Sequence, residues 1–116
     1  MTPPKVESYR FGEVVIDGRR YSRDVIIDPE GVDDKWWREE GHTLAPSDIR
    51  EVLQSAPDVL IVGCGSAGRM KVLAETEEML RKVGIEVIAE RTGPACETYN
   101  RLRESRRVVA ALHLTC

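Results

Sequence analysis

Asp58 to Gly68, reading DVLIVGCGSAG, is the stretch that most restricts what this chain can fold into. Four apolar residues in a row, Val59 to Val62, suit a strand covered on both faces, as in a parallel sheet between helices. Gly63, Gly65 and Gly68 follow at the spacing G-x-G-x-x-G. Glycines there allow a sharp turn, and bare backbone N–H groups at a following helix start can hold an anion.

Around this strand the pattern alternates. Asp17-Gly18 reads as a turn between Phe11 to Ile16 and Tyr21 to Ile27, two strands of one hairpin that closes at Asp28 to Gly31, behind a loose lead-in over residues 1 to 8. In Lys35-Trp36-Trp37-Arg38, an extended backbone sends the two indoles to opposite faces, so one is buried and the other is at least partly exposed. Trp36 and Trp37 are therefore a candidate partner surface. Pro46 can open a helix striped by Ile49, Val52, Leu53 and Ala56, which Pro57 ends. A second helix carries Leu73, Thr76, Leu80 and Val83 inward and is capped by Gly84. Ile85 to Ala89 is a strand, a third helix starts at Thr92 with Ala95, Cys96, Tyr99 and Leu102 inward, and Val108 to Leu114 is apolar enough to be a central strand. Strands alternating with helices after an N-terminal hairpin define an α/β class, and 116 residues fit one domain, residues 1 to 116.

Composition removes several functions. A net charge of −3 gives no general attraction to nucleic acid, and Arg91, Arg101, Arg103, Arg106 and Arg107 are not interleaved with aromatics as a nucleic-acid surface would be. No apolar run approaches the ~20 residues of a membrane span, and the first residues lack a signal peptide's apolar core, so a cytoplasmic location is expected. Cys64, Cys96 and Cys116 have no paired spacing and are expected to be free thiols. His113 and Cys116 are spaced so that a strand sends them to opposite faces, and no metal site is expected.

The glycine motif has a dinucleotide reading, with Glu90 near the place of an acidic ribose ligand. Against it, the first 45 residues leave no room for a second mononucleotide-binding half, and Lys71-Val72-Leu73 reads as extended chain, which delays the helix to near Glu75. No cofactor is expected. Cys64 between two glycines is a possible nucleophile if His42 or His113 meets it in space, although a small residue filling a tight loop has the same signature.

Several separated segments together resemble a known family. YxxDVIIxPxGV from Tyr21, then Trp37, Gly41-His42, the strand with GCG, TGPACETYNRL from Thr92, and RRVVAALHLTC from Arg106 are similar to the Mth-domain family of small proteins of unknown function. Its members include an adipogenesis-associated cytoplasmic protein and a mitochondrial factor assisting assembly of respiratory complex I. The resemblance implies three layers, a central mixed sheet flanked by helices, with an additional N-terminal β layer. That family usually has threonine where this chain has Cys64, and no catalytic residue carries over.

What carries over is a candidate pocket of Gly63, Cys64 and Gly65 with Thr92, Ala95, Tyr99 and Asn100 on the third helix. The expected function is a non-enzymatic binding or assembly module, monomeric or weakly self-associating, for a protein partner or a small anionic ligand. The alternative is a small-ligand or nucleotide-binding enzyme using the glycine loop. On this reading Gly65→Val blocks the pocket, and Asn100→Ala spares the fold but weakens binding.

Overall fold

The computed structural model describes residues 2–116. Its centre is a mixed sheet of five strands in the order β5-β4-β10-β7-β9, formed by β4 (Val25–Asp28), β5 (Gly31–Asp33), β7 (Val59–Cys64), β9 (Glu86–Glu90) and β10 (Val108–His113). β10, β7 and β9 run parallel, while β4 and β5 are antiparallel additions at one side. All six residues of β7 and all six of β10 are buried, as their apolar runs require.

One face of this sheet is covered by α1 (Arg50–Ser55), which follows a 3₁₀ turn at Pro46–Ile49, and by α2 (Ala74–Lys82). Ile49, Val52 and Leu80 pack there against Leu60, Val62, Val109 and Ala111. The opposite face carries α3 (Thr92–Leu102) beside a separate three-stranded sheet of β1 (Val6–Arg10), β2 (Glu13–Ile16) and β3 (Arg19–Tyr21). Ala95, Cys96 and Tyr99 meet Val59, Ile61, Ala110 and Leu112 on that side, with Val14 and Ile16 of the small sheet. A short parallel pair, β6 (Thr43–Leu44) and β8 (Lys71–Val72), completes the structure. The three layers and the extra β layer are those expected.

Four local expectations are corrected. Residues 6 to 8 of the supposed lead-in belong to β1, whose Val6 is buried and held by Asn100; Met1 lies outside the described residues. Val25 to Ile27 do not pair with Val14 to Ile16. The turn at Asp17 and Gly18, both at positive φ, closes the hairpin onto Arg19–Tyr21, and the chain then crosses to the central sheet, where all three apolar residues are buried. The buried strand extends through Gly63 and Cys64. Val83 is 59% exposed because α2 ends before it, at Lys82.

Asn100 illustrates how α3 fixes the outer sheet. Its side-chain oxygen accepts from Val6 N–H at 3.0 Å and its amide donates to Val6 C=O at 2.7 Å. Asn100→Ala strands both backbone groups at a half-buried site, so we expect a loss of about 1–3 kcal/mol. A urea midpoint unchanged from wild type would show that Asn100 is not a strut.

Candidate functional site at the carboxyl ends of the parallel strands

The chain leaves β7 toward β9 on one side, then returns over β7 through α3 to form β10 on the other. The parallel order therefore reverses between β7 and β10, and ligands of open α/β sheets favour the crevice outside the strand ends at such a point. The glycine loop lies there, and five of the six N–H groups from Gly65 to Met70 are already bonded. Gly65 N–H donates to Thr92 Oγ1 at 2.8 Å, Ser66 to Thr115 C=O at 2.5 Å, Gly68 to Gly65 C=O at 3.1 Å, Arg69 to Cys116 C=O at 3.0 Å and Met70 to Cys64 C=O at 3.0 Å. Donors that would cradle a phosphate hold the Thr92 hydroxyl and the chain's own carbonyls instead. The delayed helix is also present, since α2 begins only at Ala74 and Glu90 accepts from Thr98 Oγ1.

Gly63 and Gly65 touch the start of α3 directly. A Cβ on Gly63 would lie 3.0 Å from Thr92 Oγ1, which also donates to His113 C=O at 2.5 Å. Ala95 is sealed in the core, and Tyr99 is buried with its hydroxyl donating to Pro4 C=O at 2.6 Å. Asn100 lies about 12 Å along the helix from Thr92, at 1.5 Å per residue. The structure thus brings Gly63, Cys64, Gly65 and Thr92 together and places Ala95, Tyr99 and Asn100 elsewhere along α3.

Three residues absent from the candidate pocket meet beside the loop. Asp24 Oδ2 lies 2.8 Å from His113 Nδ1 and 2.8 Å from Arg38 Nη1, while Asp24 Oδ1 accepts from Leu114 N–H at 2.8 Å. Burial raises the Asp24 pKa, but the bonds from His113, Leu114 N–H and Arg38 outweigh it, and the carboxyl is held below its ordinary value. Arg38 Nη2 also lies 3.2 Å from His113 Nδ1, so carboxylate, guanidinium and imidazole meet at one ring nitrogen. His113 Nε2 and Arg38 Nε are buried without hydrogen-bond partners among the described residues. His113 and Cys64 are register partners on adjacent strands, which lines Asp24, His113 and Cys64 across one face of the sheet.

The segment bearing Arg38 is pinned on both sides of Trp37. Arg38 has only 5% of its side chain exposed, donates to Gly41 C=O, and lies with Cζ 4.8 Å from the Trp36 ring centre. Trp36 Nε1–H donates to Asp48 C=O at 2.8 Å. Between two fixed neighbours, Trp37 is held outward at 75% exposure. Phe11, 63% exposed, reaches the same end, because Gly12 N–H bonds Leu114 C=O just beyond β10.

Burial raises the Cys64 thiol pKa and pushes Cys96 up to about 12, so both are protonated thiols near neutrality. All three cysteines are free. Half-buried Cys116 should therefore react first with a thiol reagent in the native protein, and three labels should appear on denaturation without reductant. Fewer labels by intact mass would reveal a bridge.

This architecture of an α/β sheet with a second β layer defines a small-domain family without an assigned reaction. The chain belongs to a protein family of unknown function, DUF498/DUF598, whose model matches residues 6–113. Among solved structures it is similar to a conserved hypothetical protein from Pyrococcus horikoshii OT3, at 31% identity over 97% of this chain and 99% of that one, TM-score 0.84. A protein from Bordetella parapertussis is 32% identical over 97% and 96% of the two chains, TM-score 0.82. A Bordetella pertussis protein described as an Mth938-like domain is 28% identical over 96% and 85%, TM-score 0.66. The Mth-domain resemblance read from the sequence is thereby shown.

His113 was legible as a possible partner of Cys64, but its meeting with Asp24 and Arg38 was not, because the three come from distant segments. The one local signal was an acid immediately before three buried strand residues, at Asp24-Val25-Ile26-Ile27.

Proposed function

We propose that this chain is a non-enzymatic binding or assembly module that engages a protein partner at the carboxyl end of its parallel strands, with Trp37 as anchor. The observation that carries this reading is the outward indole of Trp37 between two immobilised neighbours, since a rigid exposed Trp loses little entropy on docking and is a preferred interface anchor. Gly63, Cys64, Gly65 and Thr92 shape the floor of this end, while Ala95, Tyr99 and Asn100 lie further along α3. Monomer or weak self-association suits a module with such a free face, and the cytoplasm suits its free thiols. Among the described residues no helix is long and apolar enough to cross a membrane.

The test is capture from a lysate on immobilised protein, compared with Trp37→Ala. The exposed substitution should leave the melting curve unchanged and weaken partner binding at least tenfold, about 1.4 kcal/mol. Equal capture by the variant would sink this reading.

The rival reading, an enzyme on the glycine loop, rests on the Asp24, His113 and Cys64 row. It requires Cys64 alkylation near pH 7 to be fast and to collapse in His113→Gln. The raised Cys64 pKa favours the binding module instead.

A further inference from the structure

Residues 34 to 42, which carry Trp36 and Trp37, form neither helix nor strand, and Arg38 fastens them to the end of the central sheet. Its guanidinium reaches Asp24 Oδ2 through Nη1 at 2.8 Å and His113 Nδ1 through Nη2 at 3.2 Å, while Asp24 Oδ2 is itself 2.8 Å from His113 Nδ1. One anion and one cation balance here as long as the imidazole is neutral. All three side chains are largely withdrawn from water, with 5% of Arg38, 8% of His113 and 20% of Asp24 exposed.

A proton on His113 upsets that balance. Two cations then share one carboxylate oxygen, with their nitrogens 3.2 Å apart in surroundings that screen charge poorly. An imidazolium carries N–H at both ring nitrogens, so Nδ1 no longer accepts from Arg38, and Nε2, without a partner among the described residues, becomes a buried donor. The neighbouring titratable groups do not offset this. His42 stands edge-on to His113 with ring centres 6.3 Å apart and adds like charge when it titrates, while Cys64, the register partner on β7, is a neutral thiol because burial raises its pKa. The Cys116 end group lies on the Cδ2 side of the ring, away from Nδ1, with its oxygen accepting from Arg69 N–H. Which member gives way is set by the backbone. His113 belongs to β10, with strands on both sides, and Asp24 Oδ1 is held by Leu114 N–H at 2.8 Å, which leaves Arg38 as the group able to leave.

We propose that proton uptake at His113 releases Arg38 from Asp24 and so frees the segment bearing Trp36 and Trp37, a pH switch built beneath the exposed indole. With His113 neutral the cluster is closed: Arg38 lies against Trp36, Trp36 Nε1–H donates to Asp48 C=O, and Trp37 is mounted between them. On acidification the guanidinium leaves, its cation–π contact with Trp36 goes with it, and Trp37 loses one of its two fixed neighbours. That this weakens docking rests on the reading of Trp37 as the anchor; the switch itself does not, and its test uses no partner.

Histidine is the side chain that ordinarily changes charge between about pH 5 and 8, and the chain has two, His42 and His113. In the double variant Trp37→Phe/His42→Gln, Trp36 is the sole tryptophan and His113 the sole histidine. As pH falls across that range, Trp36 emission should shift to longer wavelength in one single-proton transition, and the His113 Cε1 proton followed by NMR should titrate with the same midpoint. Adding Arg38→Met should abolish the Trp36 shift while His113 still titrates, because the released group is gone. The proposal is overturned by constant Trp36 emission across the range, by different midpoints for Trp36 and His113, or by a Trp36 shift that survives in folded Arg38→Met protein. Should the Arg38 variant fail to fold, the shared or separate midpoints decide alone. A pH transition at Trp36 together with unchanged capture by Trp37→Ala would remove the anchor and leave the switch standing.

Discussion

Gly65→Val should abolish folding, or cost upward of roughly 4 kcal/mol, from overpacking and a forbidden backbone conformation acting together. Gly65 has φ +101°, and a Cβ there would lie 2.1 Å from the Cys116 carbonyl carbon and 2.9 Å from His113 Cδ2. The nearest obstruction is backbone, held by the Ser66 and Arg69 bonds to Thr115 and Cys116. Gly84→Ala is the control. Gly84 also has positive φ, at +80°, but nothing lies within 4 Å of its Cβ position, so only the conformational term of about 1 kcal/mol remains. Thermal scans of the two variants should differ widely, and similar melting temperatures would mean that the crowding at Gly65 relaxes without cost.

Asp24→Asn should cost about 3–5 kcal/mol, the penalty for leaving a buried guanidinium without its counter-charge. Arg38 is the residue stranded, being almost wholly buried and paired to Asp24 at 2.8 Å. Adding Arg38→Met should recover part of the loss because the uncompensated charge goes with it; a double variant as unstable as the sum of the singles would show that the two do not act together. The pH dependence has a definite sign. A carboxyl depressed in the folded state contributes stability that is complete above its unfolded pKa, near 3.8, and is lost as pH falls through the lower folded value. The acid limb of a wild-type stability curve should therefore be steeper below about pH 4 than that of Asp24→Asn.

The parts of the fold that were legible are those decided within a few residues. Val59 to Val62 and Val108 to Leu114 are apolar on both strand faces, and Thr92-Gly93-Pro94 with Ala95, Cys96 and Tyr99 states both the start and the inward stripe of α3. What was illegible is decided by distant partners. Nothing near Val25 shows that its strand pairs with Leu112, and nothing near Val6 shows that Asn100 will complete its hydrogen bonds. The glycine loop looked like a cradle of free donors because their acceptors, at Thr115 and Cys116, lie at the other end of the sequence. The Asp24, Arg38 and His113 cluster was hidden for the same reason. Trp36 and Trp37 behaved as simple alternation requires, one covered and one outward.

The order of synthesis gives the central strand a further role. β10 lies between β4 and β7 but follows both in the sequence, so until it has formed the sheet exists as two unjoined pieces, β5-β4 and β7-β9. Each piece then carries an unpaired apolar edge, at Val25–Ile27 and at Val59–Val62, the kind of edge that pairs with neighbouring chains. At ~5–20 residues per second that exposure lasts a few seconds on the ribosome, and the closing contacts span most of the chain, which slows the final step. The newly made protein therefore passes through an aggregation-prone interval that ends when Val108–His113 slides between its two neighbours.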